Sequence, residues 1–327
     1  MAKALKAEIV TDYLERFPGL FSLTLAKKIY NENFEVFKDV EEVRGTVRRY
    51  RGKHGKSHRV TLKDKRFYDQ KPSLPESEAE NYEPFIIPKA QDNILILSDL
   101  HIPYQDNEAI QTALDWGKEH EINTILLNGD ILDCYQLSRF IKDPRLRSMA
   151  GELEDAIQFL EYLKSEFPSA VIYWKVGNHE ERIENYLKVK APELLDVSDF
   201  KLSVLMEFGA RGIHCITDKR KVVIGKLTVL HGHEFHNKST GGVNPARTLF
   251  LKTHQSAVVA HSHICSEHTD KRLDGDIITC WSVGCLCGLN PDYARINKWG
   301  HGFARVKQFK DGNFRVNNIR IINGKIY

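Results

Sequence analysis

Five times between residues 93 and 263, a short apolar run of strand length stops at a knot of carboxylate, imidazole or amide side chains. NILILS runs into DLH, NTILLN into GDILD, AVIYWKV into GNHE, KLTVL into HGHE and SAVVA into HSH. Near-continuous apolar strands suit a sheet covered on both faces, since a strand with one wet face would alternate. Between the first three runs lie helical periods, NEAIQTALDWGKEH and GELEDAIQFLEYLKSEF. ITCWSVGCL, FARVKQF and NFRVNNIRI add a β-rich end. The pattern predicts an α/β domain with two sheets or one large mixed sheet.

The polar residues at these strand ends are Asp99 and His101, Asp130 and Asp133, Asn178 and His179, His231 and His233, and His261 and His263. All are metal-ligand types. Taken singly, each is an ordinary turn residue. Sites in open α/β sheets gather at the carboxyl ends of strands, however, so five such loops can converge on one point. Coincidence is a poor account of all five.

The motifs D-x-H (Asp99 to His101), G-D-x-x-D (Gly129 to Asp133), G-N-H-E (Gly177 to Glu180), H-G (His231) and H-x-H (His261 to His263) occur in that order. Over residues 93–327 the chain therefore resembles the calcineurin-like metallophosphoesterase superfamily. The resemblance implies a four-layer α/β/β/α sandwich and two divalent metals. It puts Asp99, His101 and His263 on one metal and Asn178, His231 and His261 on the other, with Asp130 bridging. His179 becomes a general acid or transition-state stabiliser, and Asp133 is a candidate for orienting His179 or one of the ligands. Ala260 departs from the glycine that often precedes the H-x-H.

Two cations bring four positive charges, and two aspartates with a bridging hydroxide remove three. The surplus suits a phosphate oxyanion attacked by that hydroxide, with metals about 3.5–4 Å apart. Mixed N/O ligation admits Mn, Fe, Zn or Ni, with manganese placed first.

Charge divides the 327 residues unevenly. Residues 1–66 hold 16 Lys/Arg against 9 Asp/Glu, net +7, and the remainder is −4 (31 against 35). Apolar periods predict three short helices, the second capped by Ser22 and the third by Asp39. In the third, Arg44, Arg48 and Arg51 form a stripe that Lys53 extends. A basic helical module resembling a helix-turn-helix or winged helix suggests DNA or RNA contact; protein docking is the alternative. Residues 67–92, with QKPSLPESEAENYEP, read as a Pro/Glu-rich linker, leaving 93–327 as the catalytic domain.

The expected function is phosphodiester hydrolysis on nucleic acid or nucleotides. Its alternatives are a protein or small-molecule phosphomonoesterase and, behind these, a non-catalytic nucleic-acid-binding protein. No run approaches the ~20 apolar residues of a membrane span. With no apolar leader and no CxxC pair among six cysteines, a reducing cytoplasm is expected. Cys285 and Cys287 read as small packing residues, and Tyr293 and Trp299 as loop anchors ahead of base-stacking platforms.

Overall fold

Alternation of side chains across each strand decides the layering. In the computed structural model, which describes residues 2–52, 74–79, 81–140, 143, 148–235 and 242–327, the chain divides into two compact units, residues 1–80 and 81–327. Strand β2 (Asn93–Leu97) is buried along its whole length. Its Leu95 and Leu97 face a helix-covered core, whereas Ile94 and Ile96 face a second sheet. β3 (Thr124–Asn128) repeats this with Ile125 and Leu127 against Leu126. Burial on both faces demands a layer on each side, and the chain supplies them.

One sheet has seven strands in the order β13-β12-β11-β2-β3-β4-β5, with β4 at Val171–Lys175, β5 at Ile213–Ile216, β11 at His301–Gln308, β12 at Phe314–Ile322 and β13 at Lys325–Ile326. β2 to β5 run parallel, and β11 joins β2 antiparallel. The other sheet has six, β1-β6-β7-β8-β10-β9: β1 at Phe85–Ile86, β6 at Val222–Ile224, β7 at Leu227–Leu230, β8 at Ala257–Val259, β9 at Ser266–Lys271 and β10 at Ile277–Ser282.

Helices α4 (Asn107–Glu119), α5 (Met149–Glu166) and α6 (Glu181–Lys190) cover the seven-stranded sheet through Ala113, Leu114, Leu160, Leu163 and Ile183. Two helical turns, α7 (Leu202–Leu205) and α8 (Phe208–Arg211), precede β5. α9 (Pro245–Thr253) covers the six-stranded sheet through Ala246 and Leu249. The result is the four-layer α/β/β/α sandwich. Asp106 and Ser148 cap α4 and α5 by accepting from Ala109 N and Gly151 N.

The expected linker is shorter than its composition suggested. Phe85–Ile86 pairs in parallel with Val222–Val223, and Ile87 is buried, because the FII run carries enough apolar surface to close the sheet edge.

In the other unit, α1 (Ala2–Arg16), α2 (Ser22–Glu32) and α3 (Val40–Tyr50) bury Val10, Leu14, Leu25, Ile29, Val43 and Val47 among themselves. Asp39 caps α3 by accepting from Glu42 N at 2.8 Å, as expected. Ser22 does not cap α2: it is the first helical residue, and its hydroxyl accepts from Arg51 Nη1 at 3.0 Å. Arg51 also donates to the carbonyls of Pro18 and Leu20. Its guanidinium ties the α1–α2 turn to the end of α3, so it leaves the cationic stripe expected to meet nucleic acid. Arg44 pairs with Glu41 at 3.1 Å, and Arg48 is half-buried on α3. Lys53 lies outside the described residues.

Candidate metal centre

Five loops leave the carboxyl ends of β2, β3, β4, β7 and β8 and bring their polar side chains together. The backbone pays for this locally: Asp99, His101, Asp130, His261 and His263 all have φ between 50° and 65°, the left-handed region. Such residues cost of order 1–3 kcal/mol each and persist where surrounding structure over-determines them. Here the β2 and β3 loops are laced together, with Asp99 N on Gly129 O, His101 N on Asp130 O and Ile102 N on Ile131 O at 2.8–3.1 Å.

One nest is Asp99, His101 and His263. His263 Nε2 is 3.2 Å from Asp99 Oδ1 and 3.2 Å from His101 Nε2. The second is Asn178, His231 and His261. His231 Nε2 lies 3.2 Å from both Asn178 Oδ1 and Asp130 Oδ2, and His261 Nδ1 is 3.9 Å from the same Asp130 oxygen. Asp130 also groups with His101 and His179, with donor atoms within 4.8 Å of one another, so its carboxylate stands between the nests. His231 Nδ1 faces Asn128 O at 2.8 Å and donates there, so Nε2 is the nitrogen that would give up its proton and turn a lone pair to a cation.

Asp99 Oδ1 is fully buried with the His263 imidazole 3.2 Å away as its nearest polar neighbour, a costly place for a carboxylate unless a cationic group meets it. Burial alone would raise Asp99, but His263 and His231 outweigh it and bring the carboxyl down to about 2. Burial likewise opposes protonation of His231 and His263. Asp130 beside the first and Asp99 beside the second reverse that, and each rises to about 10. The pocket draws positive charge, and its carboxylate, imidazole and amide donors fit divalent cations.

His179 and Asp133 form a second tier. Asp133 Oδ1 is 3.0 Å from His101 Nδ1 and 3.2 Å from His179 Nδ1, while Asp133 O is 2.8 Å from that same His179 nitrogen. His179 Nε2 faces Asp130 Oδ2 at 3.8 Å. His233 turns aside to Glu181, 3.1 Å away.

Five residues were given no site role by the sequence reading. Glu180, in the quoted G-N-H-E but given no role, is buried and accepts from the backbone N–H of Asp130, Ile131, Leu132 and Gly177, pinning two loops at once. Arg182 donates to Asp133 O and meets His179 Nε2, each at 2.9 Å. Glu234 accepts from His231 N and Gly232 N and pairs at 2.9 Å with buried Lys175, which crosses from the other sheet. Trp299 packs edge-on to His263, with ring centroids 4.1 Å apart. Only Lys175 left a signal, a lysine ending an apolar strand. Gly177 is required for space: a Cβ there would collide with Asp130 Oδ1 and N.

The family model for calcineurin-like phosphoesterase matches residues 93–281, over half of the chain. The chain belongs to that family. This phosphoesterase is 25% identical over 224 residues to the Gene 54 protein of Mycobacterium phage L5, covering 64% of this chain and 87% of that protein. Among solved structures it is similar to Vacuolar Protein Sorting 29 from Cryptosporidium parvum (16% identity, TM-score 0.38, 72% of this chain and 94% of that one). It is also similar to Yfce, a phosphoesterase from E. coli (15% identity, TM-score 0.32, 69% and 98%). The family works with a dinuclear metal centre, so this chain is a metal-dependent hydrolase of phosphate esters. No helix among the described residues is long and apolar enough to cross a membrane.

Proposed function

We propose that this phosphoesterase is a phosphodiesterase acting on nucleic acid or nucleotides. The observation that carries the hydrolytic reading is Asp130, whose carboxylate groups with His231 and His261 on one side and His101 on the other. Asp99, His101 and His263 would hold one cation, Asn178, His231 and His261 the other, and Asp130 both. Manganese is placed first, with iron, zinc and nickel as the alternatives such donors accept. When bound, the pair supplies Lewis acidity at the phosphoryl oxygens and a solvent-derived nucleophile.

The chain's own residues do the rest. Asp133 holds His179 by Nδ1, so Nε2 is the atom that delivers a proton to the leaving oxygen. Arg182 Nη2 occupies that atom's hydrogen-bonding direction, and it must move onto the substrate's phosphate before His179 can act. Glu180 and the Lys175–Glu234 pair keep the loops of both sheets in register.

Support for a polyanionic substrate is the net +7 of residues 1–66. Six free thiols favour a reducing compartment such as a cytoplasm. A phosphodiester, a phosphomonoester, a phosphopeptide, single- and double-stranded DNA and RNA, each assayed across a metal series, test the assignment. Turnover confined to the phosphopeptide or monoester would replace it. Asp130→Asn is expected to abolish hydrolysis without unfolding the protein; retained turnover by pure, metal-loaded variant would remove the dinuclear reading. Nucleic-acid affinity should fall steeply with salt, and a flat response would assign the basic unit to protein docking.

A further inference from the structure

We infer that Cys287 supplies a sulfur ligand to the cation held by His101 and His263, so that one of the two metal positions is thiophilic. The inference rests on the dinuclear reading and concerns a residue outside its ligand set.

Cys287 is 3% exposed. Its Sγ and one ring nitrogen each of His101 and His263 lie within 4.8 Å of one another, and Sγ is 4.0 Å from His263 Nδ1. Donors bonded at ~2.1 Å (nitrogen) and ~2.3 Å (sulfur) to one ion stand no more than about 3.6 Å apart at tetrahedral angles, so Sγ must close toward the Nε2 side of His263 when the cation binds. Asp99 Oδ1, 3.2 Å from His263 Nε2, and the bridging Asp130 serve the same cation, so Cys287 would be its fifth protein donor.

The position of the thiol is built in. Leu286 N donates to Asp99 O, Asp106 N to Leu286 O, and Gly288 N to Tyr104 O, at 2.8–3.1 Å. His301 Nε2 meets Cys287 O at 2.9 Å. The segment carrying Cys287 is thereby stitched to the loop carrying Asp99 and His101. Neighbouring Cys285 directs its sulfur to Gly300 O, 3.8 Å away, and its thiol also lies beside His263, outside the trio. Coordination releases the Cys287 proton to solvent and leaves a thiolate, a soft donor that favours zinc, iron, cobalt or cadmium over magnesium and weakens manganese's claim to this position.

The test uses the full-length chain, stripped of metal and titrated anaerobically with cobalt(II). Bound cobalt should show a near-ultraviolet sulfur-to-metal charge-transfer band. Cys287→Ser and Cys287→Ala, each checked for folding by circular dichroism, should lose the band while still binding cobalt, and Cys285→Ser should keep it. Cadmium affinity should fall about tenfold or more in both Cys287 variants, the scale for ligand-environment changes, with magnesium affinity little changed. Cobalt bound to the wild type without the band, or a band surviving in Cys287→Ser, overturns the inference and leaves the thiol as a packing neighbour of His263. Failure of the wild type to bind cobalt overturns the dinuclear reading along with it.

Discussion

Replacing Glu152 by glutamine isolates a buried charge beneath the loop that carries Asp133. Glu152, on α5, is 2% exposed and accepts from Cys134 N. Burial pushes its carboxyl up to about 7 from 4.5, with Asp133 adding to the rise and the backbone N–H groups of Cys134 and Tyr135 opposing it. Because the folded-state pKa exceeds the unfolded one, the native protein binds this proton more tightly. Stability is therefore lost as pH climbs from about 4.5 to about 7 and stays lost above. A difference of roughly 2.5 units corresponds to about 3 kcal/mol of charge penalty at pH 8 and little at pH 5.

Glutamine carries no charge at either pH, but its amide places an N–H against one backbone donor, at a cost of about 1 kcal/mol. The expected net effect is a gain of about 2 kcal/mol at pH 8 and a loss of about 1 at pH 5. At 2–4 °C per kcal/mol for a domain of this size, the variant's Tm should shift by about +4 to +8 °C at pH 8 and by about −2 to −4 °C at pH 5. Tryptophan fluorescence is the probe, since Trp116, Trp174, Trp281 and Trp299 all lie in residues 81–327. Metal-free protein keeps ligand binding out of the pH dependence. An equal shift at both pH values would refute a charge penalty at Glu152.

Gly177→Ala forces a Cβ onto Asp130 and within 2.9 Å of Glu180 Oε2; turnover should fall about 10²-fold, the scale of an ångström's misplacement, and metal content measured by mass spectrometry should fall with it. Asp133→Asn keeps an acceptor for two imidazoles and removes their counter-charge. It should lower kcat about 10–100-fold with KM within a few-fold, and a change confined to KM would end its orienting role. Arg51→Ala should speed hydrogen exchange across α2 and α3, because Ser22 and two carbonyls lose their donor. Arg48→Ala should leave exchange unchanged and reduce the salt slope of nucleic-acid binding by about one.

Local pattern carried far in this chain. The apolar period of the third segment is the packed face of α3, with Val43 and Val47 buried and Val40 and Tyr50 against them, and Asp39 is its cap, because a helical period and a cap depend on neighbours three or four residues away. Glu152 shows where such reading stops. Within GELEDAIQFL it looks like an ordinary surface acid, and only the fold of the preceding loop over α5 buries it.

The sequence by itself determined that five strands end in metal-ligand side chains, that helices alternate with them, and that positive charge collects at one end. These are properties of composition and period, which need no partner. Only the tertiary structure decided that Asp130 stands between two imidazole nests, that Arg51 turns back to Ser22, that Phe85–Ile86 is a strand, and that Cys287 reaches His101 and His263. Each joins residues 24 to 186 positions apart. Such meetings follow from strand order, register and sheet-on-sheet packing, to which the chain's local preferences are indifferent.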